Sequence, residues 1–354
     1  LAHPTYDDYW RRWSIDDDYS RITTPALHIA GWYDIFLSGT VANFKGLRRY
    51  AGTAEARRGQ KLIIGPWYHI PWRPLVGNAS ENASPSVIDD WQLAWFDQFL
   101  KGNWTGVLDS PVTVFILGED RWHDLDDWPP KQATPTPWYV HSRGRANSVF
   151  GDGTLSLDPP LDEPADVFTY DPTVPNLSQG GHSCCFPWVA PMGPADQAPS
   201  EQWNSVLVYT SDPLTEDLVL LGDVTVRLFA ATTAADTDWT ARLCRVDPSG
   251  VSINLQEGIV RARYRASTVR SEPIQPNQVY DYELRLGPVG VRIPAGHRLR
   301  LTISSSDFPQ WDRNLNTGGE LGAEGPSRAV VATQTVLHDA AHPTRVILPV
   351  VREL

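Results

Sequence analysis

The chain has 354 residues, 41% hydrophobic and 20% charged, with 15 Trp and 30 Pro against a single Met. That length accommodates two domains with full cores. A formal net charge of −12, with no lysine or arginine cluster to offset it, argues against nucleic acid or an anionic membrane as partner, and no apolar run approaches the roughly 18 residues of a membrane span.

The first hundred residues alternate strand and helix signals. ALHIAGWYD, entered after Pro25, is a continuous apolar run that predicts a buried strand, and LSGTVANFKGLRRYAG follows as a helix closing at Gly52. KLIIGPW predicts a second buried strand. SVIDDWQLAWFDQFLKG predicts a second helix, with Val87, Trp91, Trp95 and Phe99 on one face and a stop at Gly102. Strand–helix–strand–helix with unbroken apolar strands is the pattern of a parallel sheet covered on both faces.

Beyond about residue 105 the pattern changes. PVTVFILG, SVLVYTS, DVTVRLFAA, DWTARLCRV, GIVRARYRA, VYDYELRLG, HRLRLTISSS and RVILPVV are short alternating runs separated by Gly, Pro, Asp and Asn. They predict an antiparallel sandwich or jelly roll, with the Pro-rich stretch 128–200 wrapping over its surface. The expected division is therefore 1–105, part of an α/β domain, and 106–354, an all-β sandwich.

The chain opens on Leu1 and its only methionine is Met192, so it is expected to be part of a longer protein. Cys184 and Cys185 are adjacent and Cys244 stands apart, which predicts reduced thiols rather than a disulfide framework. The compartment stays open on this evidence, with a lean toward the cytoplasm. His182, Cys184 and Cys185 lack the C-x₂-C spacing that aims two thiolates at one zinc, so neither metal nor cofactor is expected.

Reactive groups in open α/β sheets collect beyond the carboxyl ends of parallel strands. Asp34 and His69 stand there, each just past its apolar run. A general-base imidazole needs a carboxylate to fix its tautomer and steady the imidazolium, and in α/β-hydrolases the order along the chain is Ser, then Asp or Glu, then His. The pair matches the last two members.

PALHIAGWYDIFLSGTVANFKGL and LIIGPWYHI together resemble the paired triad segments of the CocE/NonD hydrolases. The resemblance continues through WQLAWFDQFLKG, PVTVFILGEDRWHDLDDWPP, GGHSCC, GPADQ, DVTVRLFAATTAADTDWTARLCRVDPSG, GIVRARYRAS, PAGHRLRLTISSSDFPQWDRNLNTG and VLHDAAHPTRVILPV, nearly the whole chain. It implies the C-terminal portion of an α/β-hydrolase domain followed by a jelly roll of the kind found in X-Pro dipeptidyl-peptidases. It also implies that Asp34 and His69 are the triad acid and base. The family carries its nucleophile on a G-x-S-x-x-G-type elbow upstream of the Asp, and no such elbow occurs here, since PSGVS and SQGG lack the spacing. The serine is thus expected in a missing N-terminal half of the catalytic domain, which becomes a required partner; a homo-oligomer is left open.

The amino acid ester hydrolases among these relatives place two carboxylates two and three residues beyond the triad Asp, to bind an ammonium group. Here those positions are Phe36 and Leu37. Desolvating an ammonium against them is costly, so an ester or amide with an apolar acyl group is the expected small-molecule substrate. Phe36 and, in the loop GGHSCCF, Phe186 resemble acyl-pocket residues of the family, and the loop 178–190 is expected to close over the Asp34/His69 end of the sheet. The rival from another class is a non-catalytic β-sandwich that binds a glycan or a protein, with Asp34 and His69 as a relic pair.

Overall fold

A computed structural model describes residues 2–69, 87–185 and 191–353. Its first layer grows from the two apolar runs. Strand β1 (Ala26–Tyr33) pairs in parallel with β2 (Gln60–Tyr68), from Ala26 opposite Gln60 to Gly31 opposite Gly65. Every residue of β2 is buried, as a parallel strand covered on both faces requires. The helix Leu37–Tyr50 connects them and buries Leu37, Val41, Phe44 and Leu47, one stripe at helical spacing. A second long helix, Ile88–Lys101, ends at Gly102, which takes the left-handed φ of 71° that favours glycine at a helix stop.

The sheet runs further along the chain than the sequence pattern suggests. β3 (Val112–Ile116), read above as the first sandwich strand, pairs in parallel with β2, and β4 (Arg121–Leu125) closes that edge antiparallel to β3. The reason lies in burial: all five residues of β3 are inside, so the strand has no solvated face.

Eleven strands among the described residues form the second sheet. Its spine is the long antiparallel pair β9 (Leu218–Thr232) and β12 (Tyr280–Ile293), with a register shift between Arg285 and Gly287. β10 (Asp238–Val246) and β11 (Ser252–Arg261) pair alongside β13 (Arg298–Ser304), which pairs in turn with β8 (Leu207–Ser211). The alternation predicted for DVTVRLFAA appears in β9, where Val224, Val226, Leu228 and Ala230 are buried and Asp223, Thr225, Arg227 and Phe229 between them are partly or fully exposed.

One expectation is corrected. The Pro-rich stretch 128–200 does not simply wrap the surface but supplies three strands, β5 (Thr134–His141), β6 (Thr154–Ser156) and β7 (Asp166–Tyr170). Pro135 and Pro137 pair with the strand Arg345–Val351 on one side, while the neighbour on the other side begins only at Tyr139. Prolines fit a strand where no partner needs the missing N–H.

The two sheets are joined through β12. Leu117, at the end of β3, donates its N–H to Gly290 O at 3.0 Å and accepts from Arg292 N at 2.8 Å. Trp32, buried at the end of β1, packs against Trp128 and donates its indole N–H to Phe115 O at 2.5 Å. One hydrophobic core runs from Ala30 and Trp32 through Leu117 to the strands of the second sheet. Gly290 is the close-approach point, since a Cβ there would lie 2.1 Å from Trp32 Cζ2. Gly290→Ala is therefore expected to destabilise the protein by about 1–3 kcal/mol. Gly39→Ala, in open space on the helix Leu37–Tyr50, is expected to be neutral or mildly stabilising. Thermal unfolding of the two variants checks the contrast.

Candidate active site

Asp34 is the first residue past β1 and His69 the first past β2, so parallel pairing of the two strands sets their side chains side by side. His69 Nδ1 stands 3.2 Å from Asp34 Oδ1. The carboxylate is 7% exposed and the imidazole 36%, leaving the acid inside and the base toward solvent. Asp34 Oδ1 also accepts the backbone N–H of Phe36 at 2.7 Å, and Asp34 O accepts that of Leu37 at 3.1 Å. Asp34 thus builds the turn into the following helix while it faces His69, which fixes its rotamer.

Phe36 is 57% exposed, and its ring meets His69 edge-on with centroids 4.8 Å apart. Leu37 is buried in the helix stripe. Neither position carries a carboxylate, and Phe36 presents an apolar ring to the imidazole. Phe186 lies outside the described residues, as does the rest of 186–190.

The near part of that loop is described, and it reaches the site. Ser183 forms a parallel bridge with Asp34. His182 Nε2 lies 2.7 Å from Trp32 O, its Nδ1 lies 2.7 Å from Glu257 Oε1, and its own backbone N–H donates to the same carboxylate oxygen at 2.6 Å. Both ring nitrogens therefore face acceptors, an arrangement only the imidazolium satisfies. Burial pulls the imidazole pKa down, but Glu257, the Trp32 carbonyl and Asp34 outweigh it and the net shift is upward. Burial likewise works to raise Glu257, yet His182 foremost, then Arg242 and Gln310, bring it down to about 2. Glu257 comes from β11, so this ion pair ties the second sheet to the end of β1.

The expectation of reduced thiols at Cys184 and Cys185 is corrected, because the two sulfurs are bonded to each other. Adjacent cysteines close a small ring only with an unusual backbone, and Cys185 takes a left-handed φ of 78°. Cys244 is free and buried.

Sequence reasoning brought Asp34, His69 and Phe36 to one place. It placed the loop 178–190, and with it His182, over this end of the sheet, but missed Glu257 and its pairing with His182. The available signal was a lone acidic residue inside the strand run INLQEGIV, where a carboxylate must find a buried partner.

A parallel sheet end bearing an Asp–His pair, joined to a large, mostly antiparallel sheet, is the C-terminal end of an α/β-hydrolase with a β-domain attached. The profile of the X-Pro dipeptidyl-peptidase C-terminal non-catalytic domain matches residues 105–347, and that of the X-Pro dipeptidyl-peptidase S15 family matches residues 1–71. The chain is 35% identical to cocaine esterase of Rhodococcus sp. over 361 residues, covering 99% of this chain and 61% of the esterase. Among solved structures, an aminopeptidase from a marine sediment Thaumarchaeota archaeon superposes with a TM-score of 0.85 at 26% identity, over 99% of this chain and 58% of that one. An α-amino acid ester hydrolase superposes with a TM-score of 0.84 at 25% identity, over 99% of this chain and 59% of the hydrolase. The chain belongs to the X-Pro dipeptidyl-peptidase C-terminal domain family, and among these relatives it is similar to cocaine esterase along nearly its whole length. It spans about three fifths of the length of these relatives.

Proposed function

We propose that this chain is the acid- and base-bearing part of a serine hydrolase that cleaves esters or amides with an apolar acyl group. The observation that carries the reading is the Asp34–His69 contact at 3.2 Å beyond two adjacent parallel strands. His69 Nδ1 faces the carboxylate, so its Nε2 is the nitrogen free to take a proton from a nucleophile and return it to the leaving group. Asp34 holds the tautomer and offsets the charge that forms on the ring. The nucleophilic serine and the oxyanion donors come, on this reading, from a segment outside these 354 residues, which is supported by the chain spanning only 61% of the cocaine esterase it matches.

Substrate class follows from the wall beside the base. Phe36 offers an apolar ring there, and neither Phe36 nor Leu37 can pair with an ammonium. Phe186 is proposed as a second wall of the acyl site. The names of the relatives cover esters and peptides alike, so the leaving group is an alcohol or an amine. The test is a series of p-nitrophenyl esters offered to a longer polypeptide that contains this segment. Aliphatic and aromatic acyl groups are expected to be preferred in kcat/KM over an α-amino acyl group with a free ammonium. Preference for the charged acyl group would overturn the assignment.

A further inference from the structure

We propose that His182 is a positioning residue for the triad acid, and that the His182–Glu257 pair is the means by which the second domain holds Asp34 in place; the proposal rests on the hydrolase reading above. The contacts are specific to the end of β1. The His182 ring holds the carbonyl of Trp32, two residues before Asp34, and Ser183, next in the chain, bridges to Asp34 itself. Tyr33, between them, is buried against the His182 ring with its hydroxyl donating to Asn254 O at 2.8 Å on β11. All three residues 32–34 are thus gripped by the loop 182–183 or by β11.

Glu257 anchors the grip from below. Its Oε1 accepts from the His182 backbone, the His182 ring and Gln310 Nε2, the last at 2.9 Å, and its side chain is 1% exposed. A carboxylate so placed fixes the imidazolium in one orientation. Both His182 ring nitrogens are committed to Glu257 and the Trp32 carbonyl, so its effect on chemistry passes through the position of Asp34. An Asp–His contact at 3.2 Å has little slack before the hydrogen bond is lost.

The experiment uses a longer polypeptide containing this segment and measures turnover of a p-nitrophenyl ester per active site, with sites counted by stoichiometric fluorophosphonate labelling. His182→Ala and Glu257→Gln are expected to lower kcat per titrated site by about 10-fold to 100-fold, as a small misplacement of a catalytic group does, with KM nearly unchanged. A double variant, H182Q with E257Q, can remake both contacts as amide hydrogen bonds and is expected to recover much of the loss. Should His182→Ala fail to fold, His182→Gln, which keeps the volume, decides in its place. A purely structural pair would lower the melting temperature and the number of titratable sites while leaving kcat per site at the parent value, and that result overturns the proposal. A parent that neither turns over nor labels overturns instead the hydrolase reading beneath it.

Discussion

Replacing His69 with alanine in a longer polypeptide that carries this segment is expected to lower kcat on the order of 10³-fold or more. The magnitude follows from what the imidazole does. In the proposed mechanism it removes the proton that makes a serine hydroxyl nucleophilic, then supplies a proton to the leaving group, and among the described residues no other imidazole is hydrogen-bonded to Asp34. His182, at the same end of β1, has both nitrogens committed to Trp32 and Glu257. KM is expected to change far less, because Phe36, the proposed acyl wall, stays in place. Steady-state hydrolysis of p-nitrophenyl esters checks the split, and near-parental kcat would remove His69 from the mechanism.

The second large effect concerns residues 1–354 on their own, which are expected not to turn over an ester. If the nucleophile lies outside this chain, as proposed, the imidazole can at best activate water. Without oxyanion donors, a contribution of about 3 kcal/mol or more to transition-state stabilisation is also gone. The same segment is expected to associate. Among the described residues β1 is paired on one side only, and its first four residues are incompletely buried. Ile35, Phe36, Leu93, Phe96, Leu100 and Trp104 present large apolar side chains to solvent. An open strand edge beside such a surface seeks a partner. Size-exclusion chromatography with light scattering, alongside p-nitrophenyl acetate turnover, reads both effects. A monomeric, active segment would contradict both.

Much of this architecture is legible in the sequence, for identifiable reasons. β1 and β2 announce themselves because parallel strands covered on both faces must be apolar throughout, and the residue that follows each run is then at the reactive end of the sheet. That logic reaches Asp34 and His69 without tertiary information. It fails at β3, since a short buried run such as VTVFI reads equally as sandwich or as parallel sheet until its neighbours are known. It fails again in the stretch 128–200, where prolines masked strands that need a partner on one side only. His182 and Glu257 stand 75 residues apart and meet only through the folded sheet, so neither periodicity nor local spacing records them. The bonded Cys184 and Cys185 depend on a left-handed φ at Cys185 that no side chain announces.

That Asp34 and His69 serve a serine supplied from outside this chain is tested most directly by fluorophosphonate labelling followed by mapping of the labelled residue. Residues 1–354 alone are expected to take up no label, while a longer polypeptide, or a mixture with the complementary segment, is labelled stoichiometrically on a serine outside 1–354. Stoichiometric labelling of a serine within residues 1–354 would contradict it.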